Sequence, residues 1–108
     1  MLLTAATPGV AQQSYPAKPI KIVVPFPAGG IADLYARLIG ARLSDGWRQP
    51  VVIENRTGAG GNIGADAVAK SAPDGYTLVM GSFGTHAVNV SLFAKMPYDP
   101  VRDFAPIA

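Results

Sequence analysis

Lys21-Ile-Val-Val-Pro-Phe-Pro-Ala-Gly-Gly30 is a β-branched run that stops at prolines and a glycine pair. Val51-Val-Ile-Glu-Asn-Arg-Thr-Gly-Ala-Gly-Gly-Asn62 repeats the plan, and each run leads into a helical pattern. A third apolar stretch, Tyr76-Thr-Leu-Val-Met80, completes a β-α-β-α-β order. That order predicts an α/β fold with a parallel sheet and right-handed crossovers. Ligands of such sheets lie outside the carboxyl ends of the strands, where both glycine turns fall.

The rest of the chain is consistent with a packed unit. It has 108 residues, enough for one domain at most, and is 49% hydrophobic with a net charge of +2. Its basic residues are scattered, so no nucleic-acid partner is expected. With no cysteine and one histidine, disulfides and thiolate sites are excluded, and no metal or other cofactor is expected. No apolar run reaches the ~18 residues of a membrane span, so direct insertion is not expected. Residues 1–14 are small and apolar. They read either as the remnant of a signal peptide, with Gly9-Val10-Ala11 as a cleavage site, or as a disordered extension. The apolar close at Asp103–Ala108 suggests a fragment, with residues 15–108 as the folded part.

Along the chain, Ile20, Ile22, Val23 and Val24 are expected in a strand covered on both faces. Ile31, Leu34, Tyr35, Leu38 and Ala41 recur at helical spacing and predict the buried face of the first helix, which should stop at Ser44-Asp45-Gly46. Asp33 falls in its first turn with Arg37 four residues on. Asn62 is the expected N-cap of a second helix, whose face of Gly64, Ala65, Val68, Ala69 and Ala72 can lie close to a sheet. Gly81-Ser-Phe-Gly-Thr-His-Ala-Val-Asn89 reads as a third glycine turn opening a helix, and Met96–Pro100 as a turn-rich connector.

Glycine turns at helix N-termini present backbone N–H groups and the positive end of a dipole, an anion site that needs no charged side chain. Each helix contributes roughly 0.3–1 kcal/mol. Each hydrogen bond to a charged group adds on the order of 1.5–3 kcal/mol. Nucleotide and catalytic readings fit less well. Ile63 replaces the last glycine of a dinucleotide fingerprint, no turn holds a P-loop lysine, and Met80 replaces the first glycine of a nucleophile elbow around Ser82. His86 could serve Ser82 as a base, although capping or packing explains it more simply. Asp33 and Glu54 could form an acid–base couple, but their helix-turn and strand-end positions explain them as well.

These residues carry a family resemblance. Tyr15-Pro-Ala-Lys-Pro-Ile-Lys-Ile-Val-Val-Pro-Phe-Pro-Ala-Gly-Gly-Ile-Ala-Asp33 resembles the opening of the substrate-binding proteins of tripartite tricarboxylate transporters, the Bug or TctC-like family. The likeness continues through Val52–Ala65, Ala72–Leu78 and Gly84–Asn89 to Met96–Phe104. It implies the first part of lobe one of a type II "Venus flytrap" binding protein in the periplasm. Such a protein captures a small carboxylate and hands it to the membrane components of its transporter. It further implies ligand contacts from Phe26, Ala28, Gly29, Gly30 and Asp33, from Thr57, Gly58, Ala59, Gly60, Gly61 and Asn62, and from Ser82, Thr85 and His86. Ala32 stands where many members have threonine, and Val90 where the family has proline. The alternatives are an α/β enzyme domain that binds a phosphorylated substrate at the same edge, or a non-functional remnant.

Overall fold

Three strands, β1 (Ile20–Val24), β2 (Val51–Asn55) and β3 (Thr77–Val79), form a parallel sheet ordered β2-β1-β3. The protein is described by a computed structural model over residues 14–108. The reading of residues 1–14 therefore lies outside the described residues, Ser14 apart. β1 pairs with β2 from Ile20↔Val51 to Val24↔Asn55, and with β3 from Lys21↔Thr77 to Val23↔Val79. β3 is shorter than the Tyr76–Met80 run that predicts it. The Met80 amide still donates to the Val23 carbonyl at 2.9 Å, so the pairing outlasts the strand by one bond.

Central position explains the burial of β1. Ile20, Ile22, Val23 and Val24 are buried, and only Lys21 is exposed. Ile22 and Val24 join Ala36 in a core that Val51, Ile53, Leu78 and Met80 extend. The first helix, α1 (Ile31–Trp47), packs on β2 and β1; the second, α2 (Asn62–Ala69), packs on β1 and β3. Right-handed crossovers to strands on either side of β1 put the two helices on opposite faces.

The packing face of α1 is not the one its apolar periodicity predicts. Asp33, Ala36 and Gly40 are buried, whereas Ile31, Leu34, Tyr35, Leu38 and Ile39 are 45–74% exposed. The cause is close approach. A Cβ on Gly40 would stand 3.2 Å from Ile53 Cδ1 and Val51 Cγ1, so this helix lies too near the strands for large side chains. Its large apolar residues occupy the opposite side, which the described residues leave open. The helix also passes Ser44-Asp45-Gly46 and ends at Trp47, where Arg48 takes the left-handed conformation (φ 55°) and donates its amide to the Ser44 carbonyl.

The small-residue reading of α2 holds for Gly64, Ala65 and Val68, which are buried, but not for Ala72, which is exposed and lies beyond the end of the helix at Ala69. A Cβ on Gly64 would lie 2.6 Å from the Arg56 carbonyl oxygen and 2.9 Å from Pro25 Cα, so backbone rests on backbone there. Asn62, however, is the first helical residue, and Gly61 is the N-cap. Away from the loops that follow the strands, Tyr15 forms an edge-to-face contact with Trp47 (6.0 Å), lies 5.0 Å from Tyr76, and donates its hydroxyl to the Gly75 carbonyl.

Candidate functional site

The loop from Pro25 to Gly30 is held by a polar knot at the carboxyl end of β1. Asp33 Oδ2 accepts from the Gly29 amide at 2.9 Å and from Arg37 Nε at 3.0 Å. Asn55 Nδ2 donates to Asp33 Oδ1 at 2.9 Å and to the Phe26 carbonyl at 3.1 Å. Arg37 closes the circuit on Asn55 Oδ1 at 3.2 Å. The Arg37 hydrogen bond, then those from Gly29 and Asn55, pull the Asp33 carboxyl down to about 2, so it is ionised at neutral pH. Both oxygens of Asp33 thus serve to fix the loop. It makes no pair with Glu54, which lies against Arg56 (3.0 Å) and Lys21 (3.6 Å).

The second loop turns left-handed from Gly58 to Gly61, and even Ala59 adopts φ 50°. Gly61 is where the three loops meet. A Cβ there would lie 2.6 Å from Thr85 Cγ2 and 3.2 Å from Phe26 Cζ, and its φ of +94° disfavours any side chain. Its amide donates to the Gly58 carbonyl at 3.0 Å. The amides of Ala59 and Gly60, both exposed, find no acceptor among the described residues; nor do those of Ile31 and Ala32 in the first turn of α1.

The third loop is wound wider than an ordinary helix start. Gly84–Val88 is a π-helical turn that runs into α3 (Asn89–Leu92), a form often found at functional sites. Thr85 is buried. Its hydroxyl lies 2.7 Å from His86 Nδ1, and it accepts from the Ser82 amide at 2.9 Å. The Ser82 hydroxyl contacts the Thr85 hydroxyl at 3.4 Å, so Thr85 stands between Ser82 and His86. The His86 ring covers Gly81 and lies 4.7 Å from Phe104; burial pushes its pKa below the usual 6.5.

The structure therefore brings Phe26, Gly61 and Thr85 into contact, and leaves Ala28, Gly29, Gly30 and Thr57 to Gly60 exposed at the same sheet edge. Asp33 and Asn62 are buried, with their polar atoms engaged inside the protein. Sequence reasoning missed Tyr98 and Asn89. Tyr98 is 3% exposed and donates to Asn62 Oδ1 (3.0 Å) and to the Thr85 carbonyl (2.6 Å). Asn89 Nδ2 donates to Asn62 Oδ1 (2.7 Å) and to the Gly60 carbonyl (3.0 Å). An aromatic between Pro97 and Pro100 was the available signal. Among the described residues no group of three His, Cys, Asp or Glu could hold a metal ion, and no helix is long and apolar enough to cross a membrane.

Chemically, the edge offers backbone donors and few free cations: Arg37 is engaged by Asp33 and Arg56 by Glu54. A parallel α/β unit with such an edge is the architecture found in solved periplasmic binding proteins. MatC from Rhodopseudomonas palustris, solved with bound malate, superposes with a TM-score of 0.82 at 47% identity, over 86% of this chain and 32% of that one. An R. palustris protein solved with adipate gives 0.77 at 49% identity, over 80% and 29%. Residues 35–108 match the tripartite tricarboxylate transporter family receptor (TctC), and the chain belongs to that family. It is 48% identical to protein BugT of Bordetella pertussis over 95% of its own length and 33% of BugT; it thus spans about a third of that relative.

Proposed function

We propose that this chain is part of an extracytoplasmic receptor that captures a small carboxylate and delivers it to the membrane components of a tripartite tricarboxylate transporter in the periplasm. The observation that carries the reading is the meeting of three glycine loops at Gly61, beside amides of Ala59 and Gly60 that lack an acceptor among the described residues. An acid held there would be recognised by backbone N–H groups and the dipoles of α1 and α2. The malate and adipate of the two R. palustris structures support this class of ligand. Of the loop residues expected from the sequence, Asp33 and Asn62, buried with their polar atoms engaged, shape the loops as supports. Phe26, Ala28, Gly29, Gly30, Thr57 to Gly61, Ser82, Thr85 and His86 form the proposed contact set.

Binding rather than catalysis is the better reading, because the Ser82 hydroxyl is engaged by the Thr85 amide (3.2 Å) and the Thr85 hydroxyl (3.4 Å), while His86 Nδ1 pairs with the Thr85 hydroxyl instead. Calorimetry of the full-length protein against malate, adipate, citrate and an aromatic acid, with inorganic phosphate as the competing anion, tests the proposal. Saturable binding of one of the acids in preference to phosphate is expected. Binding of phosphate alone, or of none of the acids, overturns it.

A further inference from the structure

The segment from Met96 to Phe104 is built as a rigid strap over the second and third loops. Pro97 and Pro100 fix two of its backbone angles, and Lys70 Nζ donates to the Pro97 carbonyl at 2.7 Å. Asp99 Oδ1 accepts from the amides of Val101 and Arg102, and Phe104 packs on Tyr98 and His86. From this strap Tyr98 enters the interior. Its one hydroxyl proton is shared between the Thr85 carbonyl and Asn62 Oδ1. Asn62 Oδ1 also accepts from Asn89, whose second amide proton goes to the Gly60 carbonyl. The Gly60–Gly61 peptide is thus fixed at both ends, its oxygen by Asn89 and its nitrogen by the Gly58 carbonyl.

We infer that Tyr98 is a positioning residue for the carboxylate site: through Asn62 and Asn89 it sets the peptide planes of the Gly58–Gly61 loop, and through the Thr85 carbonyl it sets the third loop against them. The inference rests on the binding function proposed above for its ligand, but its geometry is independent of any ligand. A buried donor shared between two loops makes their relative placement cooperative, since loss of the hydroxyl leaves two buried acceptors short at once. A cradle of backbone donors needs that placement, because no flexible side chain can follow a displaced ligand.

The test uses the full-length protein with Tyr98→Phe, and Phe104→Leu as a variant that weakens strap packing without touching the hydrogen bonds. Amide exchange at Gly61 and Asn62, whose amides are bonded to the Gly58 and Ala59 carbonyls, is expected without ligand to quicken about tenfold in Tyr98→Phe, the scale of one net hydrogen bond, and to stay unchanged in Phe104→Leu. Affinity for malate or adipate should fall about tenfold in the first variant and hold in the second. Unchanged loop exchange in Tyr98→Phe, equal effects of the two variants, or quickened exchange with undiminished affinity overturns the inference. If the wild type binds none of the acids, the carboxylate reading falls, and the exchange data alone decide the positioning role. Should Tyr98→Phe fail to fold, Asn89→Ala cuts the same chain one bond nearer the loop and is read in the same way.

Discussion

Gly61 and Thr85 approach so closely that a single added methyl on the glycine would stand 2.6 Å from the threonine Cγ2. The contact joins two loops separated in sequence by the whole of α2 and β3. It means that the glycine is required by the protein's own packing before any ligand arrives.

Gly61→Val should therefore lower stability as well as binding. Positive φ and the clash with Thr85 and Phe26 together should cost ~2–4 kcal/mol. Arg56→Ala, at an exposed position paired only with Glu54, should change stability by less than ~1 kcal/mol and carboxylate affinity little. Urea melts and calorimetry on both variants check this. Loss of all affinity in Arg56→Ala with Gly61→Val unaffected would mean that an ion pair, not the backbone, recognises the acid.

Leu38 and Ala36 should respond in the opposite sense to their hydrophobicity. Leu38 is 57% exposed, so Leu38→Glu should change stability by about 0.5 kcal/mol or less in the 108-residue chain. Ala36 is fully buried against the sheet, and Ala36→Leu should overpack it by ~1–3 kcal/mol. Chemical denaturation of the pair distinguishes the two faces; a costlier Leu38→Glu would restore the apolar face as the packed one.

Asp33 predicts a pH dependence of known sign. Its folded pKa, about 2, lies below the ordinary 3.8, so its stabilisation is complete above the ordinary value and is lost as pH falls from 3.8 through about 2. Asp33→Asn should flatten the stability profile in that window. A carboxyl carbon titration that placed Asp33 at 3.8 or above would contradict the knot with Arg37, Gly29 and Asn55.

His86 has the same sign for another reason. Burial lowers its folded pKa beneath 6.5, so the unfolded chain binds the proton more readily and stability declines as pH falls below 6.5. His86→Gln should remove that decline. Ring proton titration by NMR measures it directly, and a folded pKa above 6.5 would reverse the expectation.

How much of this was legible in the sequence varied with the range of the interaction. The succession of strands and helices and the three glycine turns could be read because each depends on residues a few positions apart; the sheet order β2-β1-β3, set by pairings between distant segments, was not read. The packed face of α1 could not, because its contact with Val51 and Ile53 demands small residues and therefore inverts the usual link between burial and size. Asn62 shows the same limit. Its local pattern suggests an N-cap, yet its side chain serves Asn89 and Tyr98, partners brought near only by the fold. The Asp33–Arg37 pair was visible at helical spacing, whereas Asn55, which completes that knot from β2, was not.

Trp47, the one tryptophan of the chain, stands at the far end of α1 from Ile31, about 24 Å away at 1.5 Å per residue. Its aromatic neighbour is Tyr15, on the lead-in to β1, and not a residue of the glycine loops. Intrinsic fluorescence is consequently a gauge of whether the N-terminal arm is seated on the sheet. A titrant filling the opposite edge would leave the emission of Trp47 unchanged, so silence from this tryptophan is no evidence that the edge is empty.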